Sequence, residues 1–291
     1  MRRAIRNVIM SAALCAGLLG VSATPATAQD VAVTGGLDFT NQYNFRGIRQ
    51  NYAGMAIWPF VDLGIPVFSG DGGLKSVNIN VGSWNSIHTN QFPDDIATDE
   101  DKWYESDFYA TLGFGFSKAT LGLTYTAYMS PAEDVGDVDV YFKTIHELAV
   151  KLGFDDSGAL GKAALKPYAL VAFELGDGQA DLGLSDEKGV YVELGVAPGY
   201  SGDKASVTFP VKIGLSAKDY YKFPGFADDS KFGFFSVGGI VTVPINSNWN
   251  VHGGGELQVF GDNLKVVNRS FDDTDDKKAM GIASIGIGFS F

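Results

Sequence analysis

Ser86 and His88 are the residues whose types and spacing could do covalent chemistry. A hydroxyl nucleophile and an imidazole base are the side chains that ester hydrolysis requires. On a strand, residues two apart share one face, so both are predicted to point to the same side. The sequence contains no His-Glu-x-x-His, no Gly-x-Ser-x-Gly and no glycine-rich phosphate loop followed by lysine. We therefore keep hydrolysis as an alternative and predict no catalytic residue and no cofactor.

Residues 272–276 read Asp-Asp-Thr-Asp-Asp and supply closely spaced oxygen atoms, the ligands that calcium prefers. The chain lacks a calcium loop with a central glycine and a terminal glutamate, so a solvated loop tip is favoured and calcium binding stays open. Cys15 is the single cysteine, which excludes a disulfide framework and any Cys-x-x-Cys zinc or redox site. We predict no metal site.

The N-terminus has the layout of a secretory signal. Arginines near the start precede an apolar stretch at 8–21 that is too short to span a bilayer, and residues 26–28, Ala-Thr-Ala, form a small-x-small cleavage site. We predict a removed signal over 1–28 and one mature domain over 29–291. That domain keeps 34 acidic side chains but only 19 of the 22 basic ones, a net charge of −15. Such an acidic protein is a poor nucleic-acid binder, because phosphates would be repelled.

The rest of the chain alternates between apolar and polar residues with a period of two, the pattern of β-strands whose two faces meet different surroundings. About twelve segments have this pattern. Most are longer than the roughly 5 or 6 residues of an ordinary strand and long enough to cross a bilayer at a tilt. The segments span residues 31–46, 55–68, 74–88, 103–117, 119–130, 137–154, 165–175, 189–200, 206–218, 232–245, 249–260 and 280–291.

The connections between these segments alternate in length and charge. Short ones follow most even-numbered segments, as at 69–73 and 246–248, and longer acidic ones follow odd-numbered segments, as at 89–102 and 261–279. Short turns on one rim and long loops on the other are typical of outer-membrane barrels. A sheet in hydrocarbon cannot leave an edge of unpaired amides, so the strands must close. We predict an all-β, twelve-stranded antiparallel transmembrane barrel with both termini on the periplasmic side.

In such a barrel the polar set of alternating residues faces the lumen. The predicted pore-lining residues are Asp38, Gln42, Arg46, Asp62, Asn80, Glu105, Asp107, Asp139, Lys143, Glu147, Lys151, Glu193, Lys212 and Glu256. Both signs of charge are present, so these side chains either select solutes or pair with one another and stiffen the wall. Arg46 is expected to pair with a lumen carboxylate rather than to steer anions. Gly47 is expected to end the first strand.

Residues 41–50 read Asn-Gln-Tyr-Asn-Phe-Arg-Gly-Ile-Arg-Gln at the end of the first predicted strand. A Trp-Pro strand follows, and then residues 82–84, Gly-Ser-Trp. With these motifs, residues 35–90 resemble the TorF-like family of small outer-membrane porins, whose first hairpin carries a Tyr-x-Phe-Arg-Gly-Ile pattern. The resemblance implies a barrel more firmly than it implies a substrate. The chain departs from the family at Asn51 and in its longer, more acidic loops, which leaves selectivity open.

These observations predict a passive outer-membrane channel for small hydrophilic solutes, with a weak preference for cations or neutral solutes because the loops are acidic. Twelve strands predict a narrow passage, or one partly closed by inward-folded loops. Outer-membrane lipids are the expected surroundings, and the C-terminal strand, which ends at Phe291, is expected to engage the barrel-assembly machinery. The alternatives are a non-conducting surface or structural barrel and a barrel lipid hydrolase.

Overall fold

A computed structural model describes residues 31–90, 102–131, 142, 144–161, 164–176, 188–202, 204–223, 225–269 and 275–291. The predicted signal at 1–28 lies outside the described residues. No helix within these ranges is long and apolar enough to cross a membrane. The strands are β1 Ala32–Thr40, β2 Asn44–Phe45, β3 Ile48–Arg49, β4 Ala56–Ser69, β5 Leu74–His88, β6 Trp103–Phe116, β7 Ala119–Met129, β8 Ile145–Phe154, β9 Tyr168–Leu175, β10 Val190–Val196, β11 Gly199–Ser201, β12 Ser206–Thr208, β13 Val211–Lys218, β14 Phe232–Pro244, β15 Trp249–Phe260 and β16 Ala279–Ser290, and the helices are α1 Ser157–Leu160 and α2 Asp262–Val267.

The long strands form a closed antiparallel barrel. β1 pairs with both β4 and β16, and the pairing of β14 with β15 completes the ring. β10 continues into β11 and β12 into β13, so each pair is one wall strand. The interruptions fall at Pro198 and Pro210, since proline cannot donate to the ladder. The 14-stranded sheet is therefore a wall of twelve strands, which confirms the predicted fold class.

The two ends of the barrel differ in their connections. At one end, the short-turn end, turns of a few residues join β4 to β5, β6 to β7 and β14 to β15; the connection that holds α1 is longer. The barrel also begins and ends here, because Val33 N donates to Phe291 O at 3.0 Å and Phe291 N donates to Val33 O at 2.9 Å. At the other end, the long-loop end, α2 lies between β15 and β16.

The outer face of the wall is apolar. On β4, the side chains of Val61, Leu63 and Ile65 are 43%, 40% and 38% exposed, whereas Asp62 between them faces inward. Leaving apolar area in water costs roughly 25 cal/mol per Å². A continuous outer band of this kind is stable only in apolar surroundings.

Aromatic side chains mark the short-turn end of this band. Trp249, Phe289 and Phe291 pack against one another with ring centroids 5.3 to 6.3 Å apart. Such girdles are typical of the level at which a bilayer meets water. The outer surface therefore has both the band and the border that a membrane barrel needs.

The buried core lies inside the barrel, toward the long-loop end. One cluster of buried side chains includes Tyr43 and Trp84, and a second includes Ile48, Phe234 and Leu264. Tyr43 and Ile48 do not belong to the wall, because they lie in the chain between β1 and β4. The long-loop end of the barrel is thus filled in part by a segment of the chain that does not belong to the wall.

Candidate functional site in the lumen

Residues 41–54 leave the wall and fold into the lumen; we call this segment the plug. β1 stops at Thr40 because the side chain of Asn41 takes over the pairing that a longer strand would make. Its amide oxygen accepts from Ala283 N at 2.8 Å, and its amide nitrogen donates to Gly281 O at 3.4 Å. The prediction of a longer first strand is wrong for this reason.

The tip of the plug is a two-residue hairpin between β2 and β3. Its central residues, Arg46 and Gly47, have φ of 49° and 86°, and a type I′ turn needs positive φ at both positions. A Cβ at Gly47 would also lie 2.8 Å from side-chain atoms of Leu264 and Phe234. Gly47 therefore turns this hairpin, and the prediction that it ends the first strand is wrong.

Aromatic contacts hold the plug against one side of the wall. Tyr43 packs on Trp84 of β5 and Tyr104 of β6, with ring centroids 5.3 and 6.3 Å apart. Phe45 packs on Tyr128 of β7 at 5.4 Å. These edge and tilted geometries are the favourable ones for aromatic pairs.

Hydrogen bonds hold the plug on the opposite side. Asn44 Nδ2 donates to Gln258 Oε1 of β15 at 3.2 Å. Asn268, just after α2, donates from its side chain to Gly47 O at 2.7 Å and accepts from Arg49 N at 2.9 Å. Because its partners lie all round the barrel, the plug crosses the long-loop half of the lumen from wall to wall.

Asn51 holds the plug in its folded shape. Its side-chain oxygen accepts from Tyr43 N at 2.6 Å and from Gln42 Nε2 at 2.9 Å, and its side-chain nitrogen donates to Ala53 O at 3.1 Å. Gln50 N donates to Tyr43 O at 2.8 Å. Asn51 is 1% exposed. Asn51 is thus the centre of the plug's internal hydrogen bonding.

Arg46 is the one charged side chain at the tip of the plug, and it is buried. Its guanidinium donates to both carboxylate oxygens of Glu147, at 2.6 and 2.8 Å, and to Tyr220 Oη at 3.1 Å. The guanidinium carbon lies 4.4 Å from the ring centroid of Tyr191 and 4.8 Å from that of Phe45. This is a bidentate ion pair enclosed by aromatic faces, the geometry that suits guanidinium best.

Some polar pairs on the inner face of the wall are only partly buried. Lys212 Nζ lies 3.5 Å from Glu256 Oε1, and both side chains keep part of their surface exposed. Tyr109 Oη donates to Asp62 Oδ1 at 2.7 Å. Such pairs are partly screened by solvent, so they contribute little to folding.

Glu193 connects the two halves of the lumen. It accepts from Tyr191 Oη at 2.6 Å and from Tyr168 Oη at 2.7 Å. Tyr191 also lies against Arg46, whereas the ring of Tyr168 lies 4.5 Å from Lys151 Nζ on the short-turn side. A series of contacts therefore runs from Arg46 to Lys151: a cation–π contact at each end and two hydrogen bonds to Glu193 between them.

His252 and Asp38 form a buried pair on the inner face of the wall, and His252 lies near the short-turn end of β15. His252 Nε2 lies 2.5 Å from Asp38 Oδ1, and its Nδ1 lies 3.0 Å from Asn250 Oδ1. A Cβ at Gly286 would collide with both Asp38 and His252, so the pair lies directly over this glycine. The pair joins β15 to β1 across β16 and stiffens the closing seam of the barrel.

Every described residue of the predicted lining set lies on the inner side of the barrel. Gln42 and Arg46 come from the plug, and Asp139 and Lys143 lie outside the described residues. The wall supplies Asp38, Asp62, Asn80, Glu105, Asp107, Glu147, Lys151, Glu193, Lys212 and Glu256. The sequence reasoning missed Tyr220 and Asn268, which hold the plug from long loops where no periodic pattern marks them.

Ser86 and His88 form the hydrogen bond that their spacing suggested, with Oγ and Nε2 2.9 Å apart. Both lie on the inner face of β5 and are 0% and 1% exposed. His88 stacks on Tyr104 at 4.5 Å, and Tyr43 of the plug covers it with ring centroids 6.2 Å apart. A lipid ester at the outer face cannot reach this pair through the wall.

No group of His, Cys, Asp and Glu within the described part of the chain has the arrangement of a metal site. In the acidic run, residues 272–274 lie outside the described residues, and Asp276 pairs with Arg269. The prediction of a solvated loop tip at 272–276 thus falls mostly on residues outside the described ranges.

No protein-family model and no curated protein matches the chain. The COG4313 outer membrane channel from Pseudomonas putida F1 is 11% identical over 93% of this chain and 100% of its own, with a TM-score of 0.52. The NanC porin in a rhombohedral crystal form is 11% identical over 89% and 99%, with a TM-score of 0.46. Outer membrane phospholipase A from Escherichia coli is 9% identical over 88% and 89%, at 0.41. The first likeness shows a shared fold, that of outer-membrane β-barrels.

Proposed function

We propose that this protein is an outer-membrane channel for small hydrophilic solutes, and that its plug restricts their passage. The observation that carries the proposal is the contrast between two faces of one wall, apolar outside and charged inside. A charged lumen within an apolar wall gives solutes a path that selects them by size and by field. The resemblance to TorF-like porins and the fold shared with an outer membrane channel support this function.

The charge balance of the lumen favours cations. Among the described inward-facing wall residues, Lys151 and Lys212 are the cations, and carboxylates outnumber them. The carboxylates are Asp38, Asp62, Glu105, Asp107, Glu147, Glu174, Glu193 and Glu256. An excess of negative charge between low-dielectric walls raises the local concentration of cations.

The plug sets the condition for conduction. It contacts the wall on all sides and buries Arg46 against Glu147. We therefore propose that the channel is closed while the plug is docked and conducts when the plug shifts.

Planar-bilayer recordings test the proposal with a matched pair of proteins. In one, a short Gly-Ser linker replaces residues 42–53; the other is the unaltered chain. We expect the plug-deleted barrel to give frequent conductance steps whose reversal potential in a KCl gradient indicates cation preference, and the unaltered chain to give rare ones. A shift in gel mobility on boiling serves as the control for folding. Silence from the folded, plug-deleted barrel would refute the channel function.

A non-conducting surface or structural barrel is the second candidate, and the plug is the observation that favours it. Under that function the plug would be a permanent core, and its deletion would destabilise the barrel without producing current. The same pair of proteins therefore separates the two functions. For either one, we propose an outer-membrane location and insertion by the barrel-assembly machinery through β16.

A further inference from the structure

We propose that the wall around the guanidinium of Arg46 is a binding site for small organic cations that carry a guanidinium group, and that Arg46 occupies this site while the plug is docked. The inference deepens the proposed function by naming a solute class. It rests on that function only for transport, because binding can be measured without current.

The site belongs to the wall and to one loop, not to the plug. Glu147 lies on β8, Tyr128 on β7 and Tyr191 on β10, and Tyr220 follows β13. Tyr128 Oη donates to Glu147 Oε1 at 3.2 Å, and the rings of Tyr191 and Tyr220 pack with centroids 5.0 Å apart. These contacts do not involve Arg46. The carboxylate and the rings are therefore oriented independently of the side chain that they hold.

The geometry matches a guanidinium group and not cations in general. Two parallel hydrogen bonds to Glu147 use the planar edge of the group, while the ring of Tyr191 lies over its face. An ammonium is compact and strongly hydrated and cannot satisfy both at once. Arg46 Nε has no hydrogen-bond partner within the described part of the structure. Recognition thus uses the two terminal nitrogens, which every alkylguanidinium possesses.

The charge around the site also calls for a cation. Glu147 is directly paired in register with Glu174 on β9, and like charges at such positions repel. Glu193 lies on the next strand and accepts from Tyr191, one of the rings of the site. When Arg46 withdraws, this carboxylate-rich wall is left facing the lumen. A soluble guanidinium that enters can take the place of the arginine.

Chemical complementation of Arg46→Ala tests the inference with methylguanidinium as the probe. We expect the purified, folded variant to bind methylguanidinium by calorimetry with a dissociation constant on the order of millimolar, as suits a ligand of few atoms. We also expect the probe to raise the temperature at which the variant loses its unboiled gel mobility. The unaltered chain, whose site is occupied, should bind at least about tenfold more weakly by competition.

Two controls make the test specific. Methylammonium has the same charge but no planar fork, and Arg46→Ala combined with Glu147→Gln keeps the cavity but removes the carboxylate. We expect no measurable binding of methylammonium to Arg46→Ala, and no measurable binding of methylguanidinium to the double variant. Equal binding of methylguanidinium and methylammonium, or binding that survives Glu147→Gln, would overturn the proposal.

If Arg46→Ala does not fold without a ligand, the variant is refolded in the presence of each probe. The yield of heat-modifiable barrel is then compared in methylguanidinium and methylammonium, each at about ten millimolar and thus above the expected dissociation constant. Only the first should raise the yield, and equal yields would count against the site. If binding is found but the plug-deleted barrel carries no current, the guanidinium site stands and the channel function fails.

Discussion

The lining of the lumen consists of two parts that are filled in different ways, which we call the packed half and the solvated half. In the packed half, Tyr43, Ile48 and Asn51 of the plug are almost fully buried. In the solvated half, Lys212 and Glu256 lie 3.5 Å apart and stay partly exposed. One wall therefore supports both a packed core and a partly solvated, charged surface.

This difference teaches that polar residues on the inner face do not by themselves make a pore. Arg46 and Glu147 were expected in the lumen on the same grounds as Lys212 and Glu256, yet the first pair is sealed and the second is accessible. What separates them is the segment that covers them. Substitutions in the two halves should consequently fail in different ways.

The largest effect is expected from Glu147→Ala in the packed half. Removing one partner of a buried ion pair leaves the other charge uncompensated and costs about 3–5 kcal/mol. We expect the plug to undock, with a lower free energy of unfolding in urea and more frequent conductance steps in bilayers. An unchanged unfolding free energy would mean that the two halves are not energetically distinct.

Gly47→Ala is expected to act in the same half, but less strongly. The left-handed conformation costs a non-glycine residue about 1–2 kcal/mol, and the added methyl must also fit beside Leu264 and Phe234. Urea unfolding measures the loss. Gly64→Ala is a matched control, because a Cβ there meets no atom closer than 3.6 Å. If both variants lose equal stability, the turn is not what constrains Gly47.

Lys212→Gln probes the solvated half. A partly exposed pair contributes about 0–1 kcal/mol, so the free energy of unfolding should hardly change. Removing a cation from the path should instead move the reversal potential of the plug-deleted barrel toward stronger cation selectivity. A destabilisation as large as that of Glu147→Ala would break the comparison between the two halves.

The smallest effect is expected at the turn after β8, outside both halves. The Lys166 amide, followed by that of Leu165, lowers the pKa of Asp156 by hydrogen bonding to its carboxylate. A lowered pKa stabilises the turn above the ordinary value of about 3.9, and this contribution is lost as pH falls through the folded pKa. The protection factors of the Leu165 and Lys166 amides, which compare each exchange rate with the intrinsic rate at the same pH, should therefore fall at low pH. Asp156→Asn should remove that pH dependence, and a persistent one would exclude this cause.

Much of the wall could be predicted from the sequence, because period-two alternation is a local property that a membrane barrel imposes on every strand. The β5 and β15 boundaries, for instance, match the predicted 74–88 and 249–260. The inward placement of Asp62 and Lys212 follows from the same rule. Alternation needs no knowledge of what lies across the barrel.

The plug could not be predicted in the same way. Its hairpin continues the polar and apolar alternation of β1, so residues 41–46 look like more strand. What stops the strand is Asn41 bonding to Ala283, a contact between distant parts of the chain. The burial of Arg46 likewise depends on Tyr220, in a loop without periodicity. Tertiary contacts of this kind leave no trace in a local pattern.

The seam between β1 and β16 has a consequence for how the molecule is made. The side-chain hydroxyl of Thr40 donates a hydrogen bond there to the backbone carbonyl of Ala283, which is 243 positions further along the chain. The ring cannot close until the last strand has been delivered, and the side chain that turns the chain inward finds its partners on that same strand. We expect the addition of β16, the final step of assembly, to fix the point at which β1 ends and the chain turns inward. A chain that lacks β16 would therefore lose both the closure of the barrel and the docked plug.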